Sequence, residues 1–216
     1  MRELPIIFSA PMVRAILDNR KSQTRRVVKP QPASYSLSNG QWYPPDGGKR
    51  CFHYANNHHL RISLPKDFSP YGQPGDLLWV RESIRAVELD AGLDCIEYQA
   101  DKKTVAIPNT PEAADQWWSL YHHRGKEGAV VPSIFMPKWA TRIWLEVTNI
   151  RVERLQEISE EDAKAEGAPL GECTDDPPCY AQGFIDLWNS INGKKPGCSW
   201  EDNPWVWAIE FRRVKP

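Results

Sequence analysis

The order of its helical and extended segments is the feature that most constrains the fold of this chain. The apolar patterns predict, in chain order, a helix at 10–18, strands at 24–28, 77–82, 85–89 and 95–98, a helix at 113–121, a strand at 141–155, helices at 159–166 and 184–191, and a strand at 204–214. Because strands and helices do not alternate regularly, a doubly wound parallel sheet is disfavoured. The order fits an α+β fold, a small mixed or antiparallel barrel with helices at one side.

Two long stretches of poor periodicity interrupt this pattern. Residues 31–75 are rich in Pro, Gly, Ser, Asn and Tyr, with a short hairpin expected at 60–64, and residues 101–132 form the second stretch. Loops of this length are more often functional than passive. With 216 residues and 41% apolar composition, the chain fits a single domain, residues 1–216, that carries both stretches as insertions.

The charge balance limits the classes of partner. The chain has 27 basic and 28 acidic residues and a net charge of −1, so it is no polycation that coats nucleic acid without specificity. Any contact with nucleic acid must come from a local patch, and the densest basic cluster lies between Arg14 and Lys29. No apolar run is long enough for a membrane helix, and the N-terminus does not have the pattern of a signal peptide. A cytoplasmic protein without a membrane partner is expected.

Residues 16–26 place several reactive groups in one short helix-to-strand junction. Lys21 can act as a base if desolvation or nearby cations lower its pKa, Thr24 offers a hydroxyl that such a base could activate, and Arg26 is suited to an oxyanion or a phosphate. Thr24 and Arg26 are two positions apart and share one face of a strand. Lys21 can join them only if the chain turns after the helix, which Asn19 and Arg20 make plausible.

Cysteine, histidine and tryptophan residues raise two further possibilities. Cys51, His53, His58 and His59, with Cys173 and Cys179, could bind a metal, but their spacing matches no common zinc pattern, so no metal and no cofactor is expected.

The chain has ten Trp residues, most of which are expected in the core. Trp139 precedes a strand beside Lys138 and is the preferred candidate for stacking on a base, with simple packing as the alternative.

The junction resembles the signature of the ASCH-domain family, which is related to PUA RNA-binding domains. That signature is Gly-x-Lys-x-x-Glu-x-Arg; Lys21 and Arg26 match it, Asn19 replaces the Gly, and Thr24 stands at the Glu position. The Thr variant is found in small bacterial N4-acetylcytidine amidohydrolases. Those enzymes also have a Gly-Asp turn, similar to residues 75–76, and a catalytic Glu on a short acidic helix, which matches Glu166. Prophage-encoded ASCH-like proteins are similar as well. The resemblance implies a PUA-like barrel.

The resemblance also implies a function and roles for individual residues. The expected activity is an amidohydrolase that removes an acyl group from an N4-acylated cytosine nucleoside, with Thr24 as nucleophile, Lys21 as base and Glu166 positioning the base or moving a proton. Alternatives are a module that binds RNA or a modified base, and an ASCH-type ribonuclease. The expected partner is a modified nucleoside or RNA. The residues expected to bind this substrate are Arg25, Arg26, Trp139 and Glu82, although for Glu82 pairing with an arginine is the favoured alternative.

Overall fold

The structure is a computed structural model that describes residues 1–31, 69–89, 93–172 and 177–215, and the backbone of three short strands between residues 34 and 53. The helices are α1 (Ala10–Leu17), α2 (Pro111–Tyr121), α3 (Glu160–Ala165) and α4 (Tyr180–Asn192). The strands are β1 (Glu3–Ile7), β2 (Gln23–Val27), β3 (Ser34–Ser36), β4 (Gln41–Tyr43), β5 (Phe52–His53), β6 (Leu77–Arg81), β7 (Ile84–Leu89), β8 (Leu93–Tyr98), β9 (Thr104–Ala106), β10 (Val130–Val131), β11 (Trp144–Arg154) and β12 (Trp205–Val214).

A five-stranded mixed sheet forms the centre of the molecule, in the order β1-β6-β11-β12-β2. β1 and β6 are parallel, and the other neighbours are antiparallel. The long strand β11 has a register shift, typical of a β-bulge, between Val147 and Asn149. Two backbone hydrogen bonds join this bulge to the turn before β6. The N–H of Gly75 donates to the carbonyl of Val147, and the N–H of Val147 donates to the carbonyl of Asp76.

Two further sheets lie beside the central one. β10-β7-β8-β9 form an antiparallel sheet, and β3-β4-β5 form a small one within the first predicted insertion. The second predicted insertion is therefore not irregular throughout, because it contains β9, α2 and β10, and α2 packs Trp117 and Leu120 against Ile84 and Ile96 of the antiparallel sheet. The hairpin predicted at 60–64 lies outside the described residues.

The α+β class is confirmed, and one strand was not expected. A strand, β1, precedes the first helix; its mixture of Glu, Pro and apolar residues hides the alternation of an edge strand. The central sheet has β1 and β2 at its edges, and the described residues form no closed ring of strands. The barrel therefore stays a prediction. None of the helices in the described ranges has the length and apolar character needed to cross a membrane.

The described elements pack into three apolar clusters. The first lies between the central sheet and α1 and includes Val13, Ile16, Leu145 and Ile209. The second is the packing of α2 on the antiparallel sheet. The third places α4 against the end of the central sheet, where Phe184 and Trp188 pack against Leu155 and Val206. Because α1 and α4 are held against the sheet that contains β2, both lie next to the helix-to-strand junction singled out by the sequence.

Candidate active site

The end of α1 turns Lys21 into the interior. Asn19 adopts a left-handed backbone conformation with φ of 57°, which ends the helix as expected. The N–H groups of Arg20 and Lys21 both donate to the carbonyl of Ala15, at 2.8 and 3.1 Å, and these bonds tighten the corner. The N–H of Ser22 then donates to the carbonyl of Ala165, which ties the junction to α3. The turn predicted between the helix and Thr24 is therefore present.

Lys21 and Glu166 form a buried ion pair at this corner. The Lys21 Nζ donates to Oε2 of Glu166 at 2.6 Å and to the main-chain carbonyl of the same residue at 2.7 Å. The Lys21 side chain is 0% exposed and that of Glu166 is 5% exposed. Burial lowers the pKa of Lys21 below its ordinary value, the Glu166 carboxylate partly opposes this, and the charges of Arg26 and Arg25 reinforce it.

Helix α3 supplies Glu166, and a glycine lets it approach α1. Ser159 caps the helix through its side chain, which accepts from the N–H of Asp162, and Glu166 stands at the C-terminal end. Gly167 follows with φ of 75°. A Cβ at Gly167 would lie 3.1 Å from the Cβ atoms of Ala15 and Lys21, so a larger residue would push the two elements apart.

Arg25 lies at the centre of a buried charge network. Its guanidinium donates to Glu153 at 2.8 Å, to Asp162 at 2.9 Å and to Gln23 at 2.9 Å, and it lies 3.4 Å from Oε1 of Glu166. The Arg25 side chain is 0% exposed. This guanidinium is engaged by carboxylates, so its first role is to hold Glu166 and α3 against β2.

A second arginine extends this network to the sheet surface. Arg151 donates to Glu153 and to Asp162, each at 2.6 Å, and it also contacts Glu210. Burial alone would raise the pKa of Asp162, but the hydrogen bond from Gln23 and the charges of the two arginines outweigh it and hold that pKa below its ordinary value. The Asp162 carboxylate is therefore kept ionised.

Thr24 and Arg26 share one face of β2, as their spacing predicted, and both line a cavity. Thr24 is 2% exposed, and its hydroxyl makes no hydrogen bond to any residue within the described ranges. The Arg26 guanidinium donates to the carbonyl of Ile7 at 2.6 Å and lies 5.1 Å from the centre of the Phe8 ring. No carboxylate of the described chain is within ion-pair distance of Arg26, so its charge remains available to a ligand.

The cavity has a volume of about 680 Å³, which is in the range of small-molecule sites. One wall is β2 and the following residues, from Thr24 to Pro30. The opposite wall is α4, which contributes Phe184, Trp188 and Ile191, and Tyr71 also lines the cavity. Glu166 lies on the cavity wall, and Lys21 reaches the site through its bond to this carboxylate. The site thus combines a reactive polar end with an aromatic wall.

Two predicted substrate-binding residues lie elsewhere. Glu82 is 1% exposed and pairs with Arg142 through two bonds of 2.8 and 2.9 Å, and Arg142 also bonds Asp101 at 2.9 Å. Burial raises the pKa of Glu82, and the Arg142 charge opposes that rise. Trp139 packs against the apolar cluster under α2. Neither residue lines the cavity, whereas Lys21, Thr24, Arg25, Arg26 and Glu166 all meet at the junction.

Several cavity residues escaped the sequence analysis. Phe184, Trp188 and Ile191 were assigned to the apolar face of a predicted helix, and that periodicity does not distinguish a core-facing stripe from a cavity wall. Tyr71 falls in the long stretch without periodicity, where no sequence signal points to it. Gln23 bridges Arg25 and Asp162 through its side-chain amide. The sequence analysis assigned it no role beyond its place in the helix-to-strand junction.

The candidate metal ligands are mostly outside the described part of the chain. The side chains of Cys51, His53, His58, His59 and Cys173 are not described, and Cys179 caps α4 by accepting from the N–H of Gln182. Among described residues, no group of three His, Cys, Asp or Glu side chains is arranged to hold a metal ion.

Searches against protein-family models, curated proteins and solved structures gave no match to this chain.

Proposed function

We propose that this protein is an amidohydrolase that removes an acyl group from an N4-acylated cytosine nucleoside, and that it is an ASCH-type member of the PUA-like superfamily. The observation that carries the proposal is the arrangement around Glu166. This carboxylate binds a buried lysine of lowered pKa and lies on the wall of the same cavity as the unbonded Thr24 hydroxyl. A poised base, a hydroxyl and a proton carrier are the groups that acyl transfer to a side chain requires.

The proposed reaction begins with the neutral form of Lys21. Thr24 loses its proton as Oγ1 attacks the acyl carbon, and the Arg26 guanidinium stabilises the oxyanion that forms. When the C–N bond breaks, the N4 amine leaves with a proton, and the acyl group remains as an ester on Thr24. Water then attacks the ester, which releases the carboxylic acid and restores the hydroxyl.

The route of the proton follows from the contacts of Lys21. Its Nζ donates to Oε2 and to the main-chain carbonyl of Glu166, and no bond to Thr24 is found within the described residues. The proton therefore passes through the Glu166 carboxylate, or Nζ moves toward Thr24 when substrate fills the cavity. Catalytic hydrogen bonds commonly tighten only in the substrate complex. In the first route Glu166 delivers the proton to the leaving amine, and in the second Glu166 positions the protonated Lys21 that does so.

One observation favours a second candidate, a module that binds a modified or single-stranded base. Arg26 lacks a carboxylate partner in the described chain and lies in the same cavity as Trp188 and Tyr71. An arginine beside aromatic rings is a common arrangement for a phosphate with an adjoining base. A ribonuclease would use the same groups. The binding module predicts that a ligand binds without release of an acyl group. The ribonuclease predicts cleavage of RNA.

Mass spectrometry of the reaction products tests the hydrolase proposal. Purified protein is incubated with N4-acetylcytidine and with longer N4-acyl cytidines, beside the variants Lys21→Ala and Thr24→Val. Lys164→Ala on α3 and Thr104→Val on β9 are matched controls, because both residues are exposed and neither lines the cavity. Cytidine released by wild type and by both controls, and not by the site variants, supports the proposal. Release by none of the proteins contradicts it for these substrates, and RNA binding and cleavage are then measured.

A further inference from the structure

The cavity carries more positive charge than the proposed reaction needs. Arg26, Lys29 and Lys195 all line it, and no carboxylate of the described residues pairs with any of them. The only acidic side chain on the described wall is Glu166, whose charge is already matched by Lys21 and Arg25. An uncharged nucleoside would leave these cations without a counter-charge, so the wall favours a ligand that carries an anion.

Chain positions along the two walls put the lysines toward the end of the cavity away from Thr24. Lys29 is five residues beyond Thr24 and past the end of β2 at Val27, so the two Cα atoms are at most roughly 16 Å apart at the rise of an extended strand. α4 runs beside this strand, because the Phe184 ring lies 5.9 Å from the Arg25 guanidinium at the start of the helix. Lys195 follows the end of α4 and lines the same cavity as Lys29, so the course of the helix places it toward the Lys29 end.

Lys195 is partly held in place at that end. Its Nζ donates to the side-chain oxygen of Asn192 at 2.9 Å, which orients the ammonium and leaves other protons free to donate.

The wall between the two ends is aromatic. Trp188 lies there, 5% exposed, with its indole N–H already donated to the carbonyl of Cys198. A flat, uncharged group fits against this part of the wall.

We infer that the cavity takes a nucleoside phosphate, with the acylated base at Thr24 and the phosphate between Lys29 and Lys195. This inference rests on the proposed hydrolase function and names its substrate class. The N4 amine and the 5′-phosphate lie on opposite sides of a cytidine nucleotide, as the reactive and basic ends of the cavity do. The phosphate belongs to a free mononucleotide or to the end of a strand, since the same lysines would contact either.

Substrate preference provides the first test. The ratio of kcat/KM for N4-acetylcytidine 5′-monophosphate to that for N4-acetylcytidine is measured at low salt. It is expected to exceed about ten in wild type, because hydrogen bonds between charged groups contribute that much. The ratio falls toward one in the Lys29→Ala/Lys195→Ala variant, and it is unchanged in Lys194→Ala, an exposed neighbour that does not line the cavity. A wild-type ratio near one overturns the inference while leaving the hydrolase proposal intact.

Calorimetric binding separates failure of the inference from failure of the proposed function. Cytidine, cytidine 5′-monophosphate and a short cytidine oligonucleotide are titrated into the wild type and the double lysine variant. Tighter binding of the monophosphate than of cytidine, lost in the variant, supports the inference even if no acyl group is ever released. Lysine-dependent binding that is tightest for the oligonucleotide also supports it and assigns the phosphate to a strand. Equal binding of all three ligands overturns it.

Discussion

The Lys21 ammonium and the Glu166 carboxylate are 2.6 Å apart and buried, although 145 positions separate the two residues in the chain. An exposed pair of this kind would contribute little, since water screens it. Burial increases the energetic importance of the pair. It disfavours the charged form of the lysine, and loss of either partner would leave the other charge buried and unpaired. Burial, partly opposed by Glu166, lowers the pKa of Lys21, so this lysine can act as a base at a lower pH than an exposed lysine.

Hydrolysis is expected to increase with pH through the pKa of Lys21. Because burial holds this pKa below its ordinary value of 10.5, the neutral, basic form gains population at a lower pH than for an exposed lysine. The profile of kcat against pH for N4-acetylcytidine should therefore rise with an apparent pKa below 10.5. Lys21→Arg, which keeps the charge but cannot lose a proton, should show no such rise and little activity. A flat wild-type profile would contradict the assignment of Lys21 as base.

Replacing Glu166 by Gln should both slow the reaction and shift its pH dependence. The carboxylate raises the pKa of Lys21, so its removal moves the rising limb to lower pH. Loss of a proton carrier is expected to lower kcat by roughly 10²–10⁴-fold. The matched control is Glu161→Gln, an exposed carboxylate on α3, which should change neither quantity. A variant with normal kcat would exclude Glu166 from the proton pathway.

Arg25→Met should destabilise the protein strongly. The change removes the buried one of the two arginines that Glu153 and Asp162 share and leaves only the partly exposed Arg151. Breaking a buried pair costs about 3–5 kcal/mol. Arg20→Met removes the exposed pair with Asp18 and should cost less than about 1 kcal/mol. Urea unfolding measures both. Equal losses in the two variants would show that the Arg25 network does not stabilise the fold.

The stability difference between wild type and Arg25→Met should depend on pH. Asp162 has a folded-state pKa below its ordinary value, despite burial, so its contribution to stability is present above about 3.8 and is lost as the pH falls through the folded-state pKa. The free-energy difference between wild type and Arg25→Met is therefore expected to shrink in acid, since protonation relieves the repulsion in the variant. A difference that is constant from neutral pH into this range would contradict this account.

Glu82→Gln should lower stability without affecting substrate binding. The substitution removes one charge partner of the half-buried Arg142, which keeps Asp101, and lies outside the cavity. A loss of about 3–5 kcal/mol is expected from breaking this pair. Thermal unfolding and the KM for N4-acetylcytidine are measured together. An increased KM with an unchanged unfolding temperature would assign Glu82 to the substrate site after all.

Gly183→Ala should displace the helix that forms one wall of the cavity. An added Cβ would lie 1.9 Å from the carbonyl oxygen of Pro169, so α4 must shift away from the preceding loop. Overpacking of this kind typically costs about 1–3 kcal/mol. Ser190→Ala, on the exposed side of the same helix, is the control and should change stability by less than about 0.5 kcal/mol. A variant that unfolds at the wild-type temperature would contradict the close packing of α4.

Local patterns predicted most of the elements, because each depends on neighbouring residues. The apolar spacing in α1 and α4 and the alternation in β6, β11 and β12 were readable, and the observed bounds lie within a few residues of those expected. Strand β1 was missed, since its stability comes from parallel pairing with β6, more than 70 residues away. The second stretch of poor periodicity likewise gained β9 and β10 through pairing with β8 and β7.

The sequence by itself determined the α+β class, the helix-to-strand junction and the shared face of Thr24 and Arg26, because turn chemistry and the strand period are local properties. Only the tertiary structure decided that Arg25 is bound by carboxylates, that Glu82 pairs with Arg142, and that α4 lines the cavity. Burial and ion pairing depend on which distant segments meet. A charged side chain looks the same in the sequence whether it faces water, a counter-ion or a ligand, and the fold alone makes that distinction.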